Sequence, residues 1–184
     1  MDFKGFSLTL HVLGLALGAG GAYLADVLFL FSIRDRKITA SEIKFMELGN
    51  FLVWAGLALL VISGSGLFAA NMTKYLNDTK FEIKIALLIA IIINALILRF
   101  IHLPRIERHA GTHYPSSDEF VRKAPWLLLS GVVSVVSWTA VVFLGSVPTL
   151  QYSLLESLFI YFIIVLLSFV AVMGLKNRTL FQEY

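Results

Sequence analysis

The chain contains no cysteine and little charge. None of its 184 residues is a cysteine, only 15% are charged and 58% are hydrophobic. The lack of cysteine excludes disulfides, thiolate metal sites and a cysteine nucleophile. Soluble domains carry about 25% charged residues. The scarcity of charge, with a mean hydropathy of +0.84, therefore indicates a polytopic membrane protein rather than a soluble protein with one anchor.

Five apolar runs are long enough to cross a hydrocarbon core of about 30 Å. They cover residues 5–33, 49–70, 82–103, 125–145 and 153–175. None of them alternates with the period of two that a transmembrane strand requires. The sequence therefore predicts an all-α fold, a bundle of five transmembrane helices in a single domain over residues 1–184. The first run is too long for the core of a signal peptide, so we expect it to persist as a helix.

The basic residues are distributed unevenly between the linkers. Eleven lie in the first linker, the third linker region and the C-terminal tail, whereas four lie near the N-terminus and the second linker. Basic residues concentrate on the cytoplasmic side of a membrane protein. We therefore expect the N-terminus outside and the C-terminus in the cytoplasm. The net charge of +3 then reflects the orientation of the protein in the membrane. The expected partner is the lipid bilayer and not nucleic acid.

The first apolar run carries a stripe of small and polar residues. Gly14, Gly18 and Ala22 are spaced by four. His11 precedes this series by three residues, and Asp26 follows it by four. On a helix these residues share one face. Small residues let other backbones approach closely, and polar residues need partners inside lipid. We therefore expect the other helices to assemble around this face.

Three polar residues are expected near the outer ends of their helices, namely His11, Lys84 and Glu156. They could form one outer polar cluster. His11 is a candidate ligand for a cofactor, although a histidine at this position can also hydrogen-bond to a neighbouring helix. Lys84 can alternatively extend its amine to the membrane interface. Glu156 can simply favour the positive end of a helix dipole.

Asp26 is expected toward the cytoplasmic side, at the depth of Arg99. Because an unpaired carboxylate is costly in lipid, we predict a buried ion pair between Asp26 and Arg99, with Asn94 available to extend the polar network. The pair could fix the helix register or form part of a proton path. His102 ends the third run on the same side, roughly 25 Å or more from His11. The two histidines are therefore not expected to share one haem iron, and no metal site is predicted.

The fourth run carries serines on one face, next to a tryptophan. These residues are Ser130, Ser134, Ser137 and Trp138. Serines commonly hydrogen-bond across transmembrane helix interfaces. We therefore expect this face to point into the bundle rather than toward lipid.

The first and third runs resemble a group of small bacterial membrane proteins, the CopD-type copper-resistance domain and the HemJ-type protoporphyrinogen oxidase. The shared pattern is a histidine followed by small residues, here HVLG from His11, and a lysine followed by aliphatic residues, here KIALL from Lys84. In the HemJ-type enzymes this histidine and lysine are haem-associated. The resemblance implies a five-helix bacterial relative in the inner membrane, with haem b at His11 and Lys84. The chain departs from those families in its fifth helix.

These observations leave three functions open. The first is a haem-binding or redox-linked membrane protein in which glycines near His11 give a porphyrin room. The second is a small transporter for a metal ion or solute, with gates at the outer cluster and at the Asp26–Arg99 pair. The third is a non-catalytic accessory subunit of a membrane complex. Enzymatic activity, a homo-oligomer and a partner membrane subunit also stay open.

Overall fold

A computed structural model describes residues 2–34, 38–109 and 118–175. In these ranges the chain is helical with short connections, and no strand occurs. The elements in chain order are α1 (Phe3–Arg34), α2 (Ala40–Ala70), α3 (Met72–Leu76), α4 (Thr79–Ile97), a π-helical turn (Leu98–His102), α5 (Leu103–Arg108), α6 (Asp118–Ser146) and α7 (Leu154–Leu175). The helix α4, the π-helical turn and α5 follow one another without a break.

Five segments of the described chain are long and apolar enough to cross a membrane. They are Phe3–Ser32, Ala40–Ala70, Thr79–Arg108, Arg122–Ser146 and Leu154–Leu175. This confirms the predicted all-α bundle of five spanning helices. The architecture fits a multi-pass integral membrane protein whose outer surface contacts the lipid bilayer.

Two helices begin seven or more residues earlier than the apolar runs predict. Helix α2 begins at Ala40 rather than at residue 49, because Thr39 and Glu42 form a capping box. The Glu42 amide donates to Thr39 Oγ1 at 3.2 Å, and the Thr39 amide donates to Glu42 Oε2 at 2.7 Å. This arrangement satisfies two backbone donors at the helix start. Helix α6 begins at Asp118 rather than at residue 125, so Pro125 lies inside the helix and not in its first turn.

The glycines of α1 and α2 bring the two backbones into contact. A Cβ atom at Gly56 would lie 2.6 Å from the carbonyl oxygen of Gly14. A Cβ atom at Gly21 would lie 2.7 Å from the carbonyl oxygen of Gly49. Neither distance accommodates a side chain. Helix α2 therefore covers the small-residue face of α1, in the manner of close transmembrane pairs.

Helix α6 closes the same face with an aromatic side chain. Trp138 is buried, and its Cζ3 atom would lie 2.8 Å from a Cβ atom at Gly18. The serines that precede it on this face are also buried, namely Ser130, Ser134 and Ser137. This confirms that the serine face of α6 points into the bundle. The first helix is thus enclosed by α2 and α6 along its small residues.

Helix α7 lies at the periphery of the bundle. None of its residues is buried, and it packs against α6 and α4. A hydrogen bond of 2.8 Å between Tyr161 Oη and Ser137 Oγ joins it to α6. Helix α7 therefore presents most of its apolar surface outward, where lipid would contact it.

Candidate functional site, an intramembrane cavity

A cavity of about 90 Å³ lies between α1, α2, α4 and α6. Most of its wall is apolar, but five polar residues also line it, namely Asp26, Asn50, Asn94, His102 and Ser134. A cavity needs about 10–15 Å³ to hold one water molecule, so this space suits several waters or the head group of a small ligand. A few convergent polar groups in an apolar pocket are typical of a ligand site.

Asp26 reaches from α1 toward α6. Its Oδ1 atom lies 3.8 Å from the place that a Cβ atom at Gly131 would occupy, so the carboxyl group lies beside this glycine. Ser134, one turn further along α6, interacts with the same carboxyl group. Within the described part of the chain, Asp26 Oδ2 is buried and has no hydrogen-bond partner. An ionised carboxylate is costly in an apolar medium unless it is paired or hydrated, so a proton, a cation or water at Oδ2 would lower that cost.

The predicted ion pair between Asp26 and Arg99 is not formed. The ion pairs in the described ranges join Glu119 to Arg105 at 3.3 Å and to His109 at 3.5 Å. The Arg99 side chain is exposed. The buried face of this span passes through Ile83, Leu87, Ile91, Asn94, Ala95 and His102. With 3.6 residues per turn, Arg99 lies roughly 100° around the helix from the middle of that face.

Ser130 of α6 connects two further polar residues that line the cavity. Asn94 Nδ2 donates to the Ser130 carbonyl oxygen at 3.0 Å, and His102 Nε2 lies 3.1 Å from Ser130 Oγ. All three residues are buried. The Nδ1 atom of His102 is buried too and has no hydrogen-bond partner among the described residues. Asn94 thus belongs to a polar network with α6 and His102, not with Arg99.

His102 closes the π-helical turn of the third span. The amide of Leu103 donates to the carbonyl of Leu98, five residues earlier. Pro104 follows and has no amide hydrogen, so the regular hydrogen-bond ladder is interrupted here in any case. Single π-helical turns occur frequently at functional sites. Pro104 was the feature of the sequence that could have indicated this interruption of the helix. Nothing in the sequence distinguished Asn50 of α2 as a residue that lines the cavity.

His11 and Lys84 lie at the other end of the bundle, about 22 Å from Asp26 along α1. His11 Nδ1 lies 3.1 Å from Ser63 Oγ. Because the Ser63 hydroxyl donates to the carbonyl of Leu59, its oxygen accepts the hydrogen of His11 Nδ1. A neutral His11 therefore keeps an unprotonated Nε2. Lys84 is half-buried, and its charge acts on His11; a shared site of these two residues stays a prediction.

The glycine face beside His11 has no room for a porphyrin. Gly56 of α2 and Trp138 of α6 occupy the space next to Gly14 and Gly18, and even a single added carbon would collide there. A haem bound at His11 and Lys84 would have to approach the imidazole from another side. Haem binding at these residues stays a prediction. The described residues contain no group of three or more His, Cys, Asp or Glu side chains able to hold a metal ion.

Glu156 lies outside any buried network. It is exposed and forms a capping box with Ser153 at the start of α7. The Ser153 amide donates to Glu156 Oε2 at 2.8 Å, and the Glu156 amide donates to Ser153 Oγ at 3.3 Å. Glu156 therefore stabilises a helix end, and the expected outer cluster is reduced to His11 and Lys84, whose association stays a prediction.

Comparison with known proteins gives no relative on which a function could rest. Nothing matches the chain among protein families, curated proteins or solved structures. The resemblance to the CopD-type and HemJ-type proteins therefore stays a prediction. A functional proposal must therefore rest on the chemistry of the cavity.

Proposed function

We propose that this integral membrane protein is a small transporter that exchanges a proton for a monovalent cation at Asp26. One observation carries the proposal: Asp26 lines a cavity inside a membrane-spanning bundle, and its buried Oδ2 has no partner in the described chain. Since an ionised carboxylate alone is costly there, the site is occupied in every state, by a proton or by a cation.

The exchange follows from this requirement. When a cation approaches, the O–H bond of the protonated carboxyl group breaks and the proton leaves to water. The cation becomes the counter-ion of the carboxylate. On the other side of the membrane the cation departs and a proton binds again. The net charge of the site is zero in both states, so neither state leaves an unpaired charge in the bundle.

The other cavity residues support a cation in this position. Ser134 interacts with the carboxyl group and can donate a hydrogen bond to its ionised form. Trp138 and Phe29 also line the cavity, and aromatic rings attract organic cations, quaternary ammonium ions among them. The π-helical turn and Pro104 interrupt the third span beside the cavity. This is where the span can bend as the cavity opens.

Proton flux in liposomes tests the proposal. The protein is reconstituted into vesicles that contain the pH dye pyranine and have an acidic interior, and tetramethylammonium is added outside. We expect the interior to become alkaline faster than in protein-free vesicles. Asp26→Asn should abolish the difference, whereas Glu47→Gln, which neutralises an exposed carboxylate of α2, should retain it. Equal rates for Asp26→Asn and the wild type would refute the proposal.

A second candidate function, haem or metal ligation at His11, is favoured by one observation. The hydrogen bond from Nδ1 to Ser63 orients the ring and leaves Nε2 unprotonated, as second-shell partners do for ligating histidines. An optical spectrum of the protein in mild detergent, oxidised and then reduced with dithionite, tests it. A Soret band that is lost in His11→Ala would support ligation. A colourless wild type after expression with ample haem would exclude a haem.

A further inference from the structure

Asp26 lines a second space, which is apolar. A crevice of about 200 Å³ lies between α1, α6 and α7. Its lining residues are Asp26, Phe29, Leu30, Leu127, Leu128, Gly131, Val132, Val135, Val136, Ser168 and Val172. Only Asp26 and Ser168 among them carry polar side chains. The cavity described above, by contrast, has five polar residues in its mostly apolar wall.

The crevice and the cavity share part of their walls. Asp26, Phe29, Leu127 and Gly131 line both spaces. Gly131 has no side chain, and the Asp26 carboxyl group lies beside it. A single molecule can therefore contact the carboxyl group and extend from there into the crevice. The two spaces together have several polar residues at the cavity end, almost none at the crevice end and a carboxyl group at their junction.

The size of the crevice indicates what its apolar part accepts. An engineered apolar cavity of about 150 Å³ in another protein binds benzene. A crevice of about 200 Å³ is therefore large enough for a small aromatic ring or a short alkyl chain. An apolar crevice next to a peripheral helix would take a lipid chain equally well. The carboxyl group at its junction with the cavity favours a molecule that also carries a positive charge.

We infer that the transported cation is amphipathic, with a monocationic ammonium head at Asp26 and an apolar tail in the crevice between α1, α6 and α7. This inference rests on the proposed exchange at Asp26 and names the class of its substrate. Because α7 is peripheral and has no buried residue, such a molecule reaches the site laterally from the bilayer. The head exchanges with the proton of Asp26, and the tail contributes affinity without taking part in the exchange.

Affinity should rise with tail length. Burying one methylene group is worth about a fourfold gain in affinity. The probes are tetramethylammonium, butyltrimethylammonium and hexyltrimethylammonium, which share a head group and cannot cross a bilayer as neutral species. The measured quantity is the concentration that gives half-maximal proton release from the pyranine vesicles. Longer probes also partition into lipid, so the decisive comparison is between protein variants in the same vesicles.

Two valines of α6 provide a matched pair of variants. Val135 lines the crevice and is 40% exposed, whereas Val142 is 43% exposed and lines neither space. Val135→Trp should fill the crevice and remove the advantage of the hexyl probe, while tetramethylammonium still drives proton release. Val142→Trp should behave like the wild type. A response to tetramethylammonium in both variants also demonstrates that both are folded.

The outcomes separate this inference from the proposed function. If tail length has the same effect in Val135→Trp and Val142→Trp, the crevice does not hold the tail and is left to another occupant such as a bilayer lipid, while the exchange at Asp26 stands. If no probe, tetramethylammonium included, drives proton release in the wild type, the proposed function fails and this inference fails with it. Loss of the hexyl advantage in Val135→Trp alone supports the amphipathic substrate.

Discussion

Asp26 of α1 and His102 at the end of the π-helical turn line the same cavity, and each has a buried polar atom without a hydrogen-bond partner in the described part of the chain. Buried polar groups in proteins are ordinarily paired with protein or with ordered water. The two unpaired atoms come from distant parts of the chain, and both belong to residues that line one cavity, where water or a bound molecule can pair with them.

Arg99 should be dispensable. Because its side chain is exposed and forms no ion pair with Asp26, Arg99→Gln is expected to leave tetramethylammonium-driven proton release unchanged. Asp26→Asn should abolish it in the same assay. Equal loss of release in the two variants would mean that the ion pair predicted from the sequence forms in the working protein after all.

Cation binding should alter the fluorescence of Trp138. This residue is buried and lines the cavity, whereas the other two tryptophans, Trp54 and Trp126, do not line it. In a protein with Trp54→Phe and Trp126→Phe, we expect tetramethylammonium to change the emission of Trp138 with a saturable dependence on concentration. Adding Asp26→Asn should remove the saturable part. A response that is unaffected by Asp26→Asn would place the bound cation elsewhere.

Gly56→Ala should destabilise the bundle. The added methyl group would lie 2.6 Å from the carbonyl oxygen of Gly14, and overpacking of this kind costs about 1–3 kcal/mol. Gly20→Ala is the control, because Gly20 is exposed in the same helix pair and has nothing within 4 Å of its added carbon. Thermal unfolding in mild detergent should give a lower midpoint for Gly56→Ala only. Equal midpoints would contradict the close contact of α1 and α2.

Ser153→Ala should weaken α7 without affecting transport of tetramethylammonium. The serine hydroxyl caps the helix by accepting from the Glu156 amide, and loss of such a cap costs about 1 kcal/mol. The midpoint of thermal unfolding should fall while proton release persists. If release is lost and the midpoint is unchanged, the Ser153 and Glu156 pair has a functional role that the capping geometry does not explain.

The absence of cysteine allows the orientation to be measured directly. Thr73 and Glu107 are both exposed and lie at opposite ends of the third span, in α3 and α5. In intact cells, a membrane-impermeant maleimide should label Thr73→Cys at once and Glu107→Cys only after permeabilisation. The distribution of basic residues predicts this order. The reverse order would place the N-terminus in the cytoplasm.

The sequence was sufficient to predict the helices and the faces that pack. Length and hydropathy identified five spans, and the spacing of Gly14, Gly18 and Ala22 identified the face of α1 that α2 and α6 cover. These features depend on local composition and on the helical period. The early start of α2 also had a local signal, which is the capping box of Thr39 and Glu42. A search for apolar runs overlooks it, because both of its residues are polar.

The site was less predictable, because it depends on how the helices rotate against one another. Asp26 was identified as a residue in need of a partner, but its contact with Ser134 and the exposure of Arg99 depend on the azimuth of each helix. That angle is determined by the packing of the whole bundle and not by the local sequence of one helix. Asn50 is identified as a cavity residue only once α2 is packed against the other helices. The π-helical turn also rotates His102 away from the direction that a uniform period of 3.6 residues predicts.

The most direct test measures proton release on cation binding in the purified protein. The protein in mild detergent is placed in weakly buffered solution with a pH indicator, and tetramethylammonium chloride is added while Trp138 fluorescence is followed. Exchange at Asp26 predicts that binding releases protons in the wild type and that Asp26→Asn releases none. Saturable binding without proton release, or the same release from Asp26→Asn, would contradict the account.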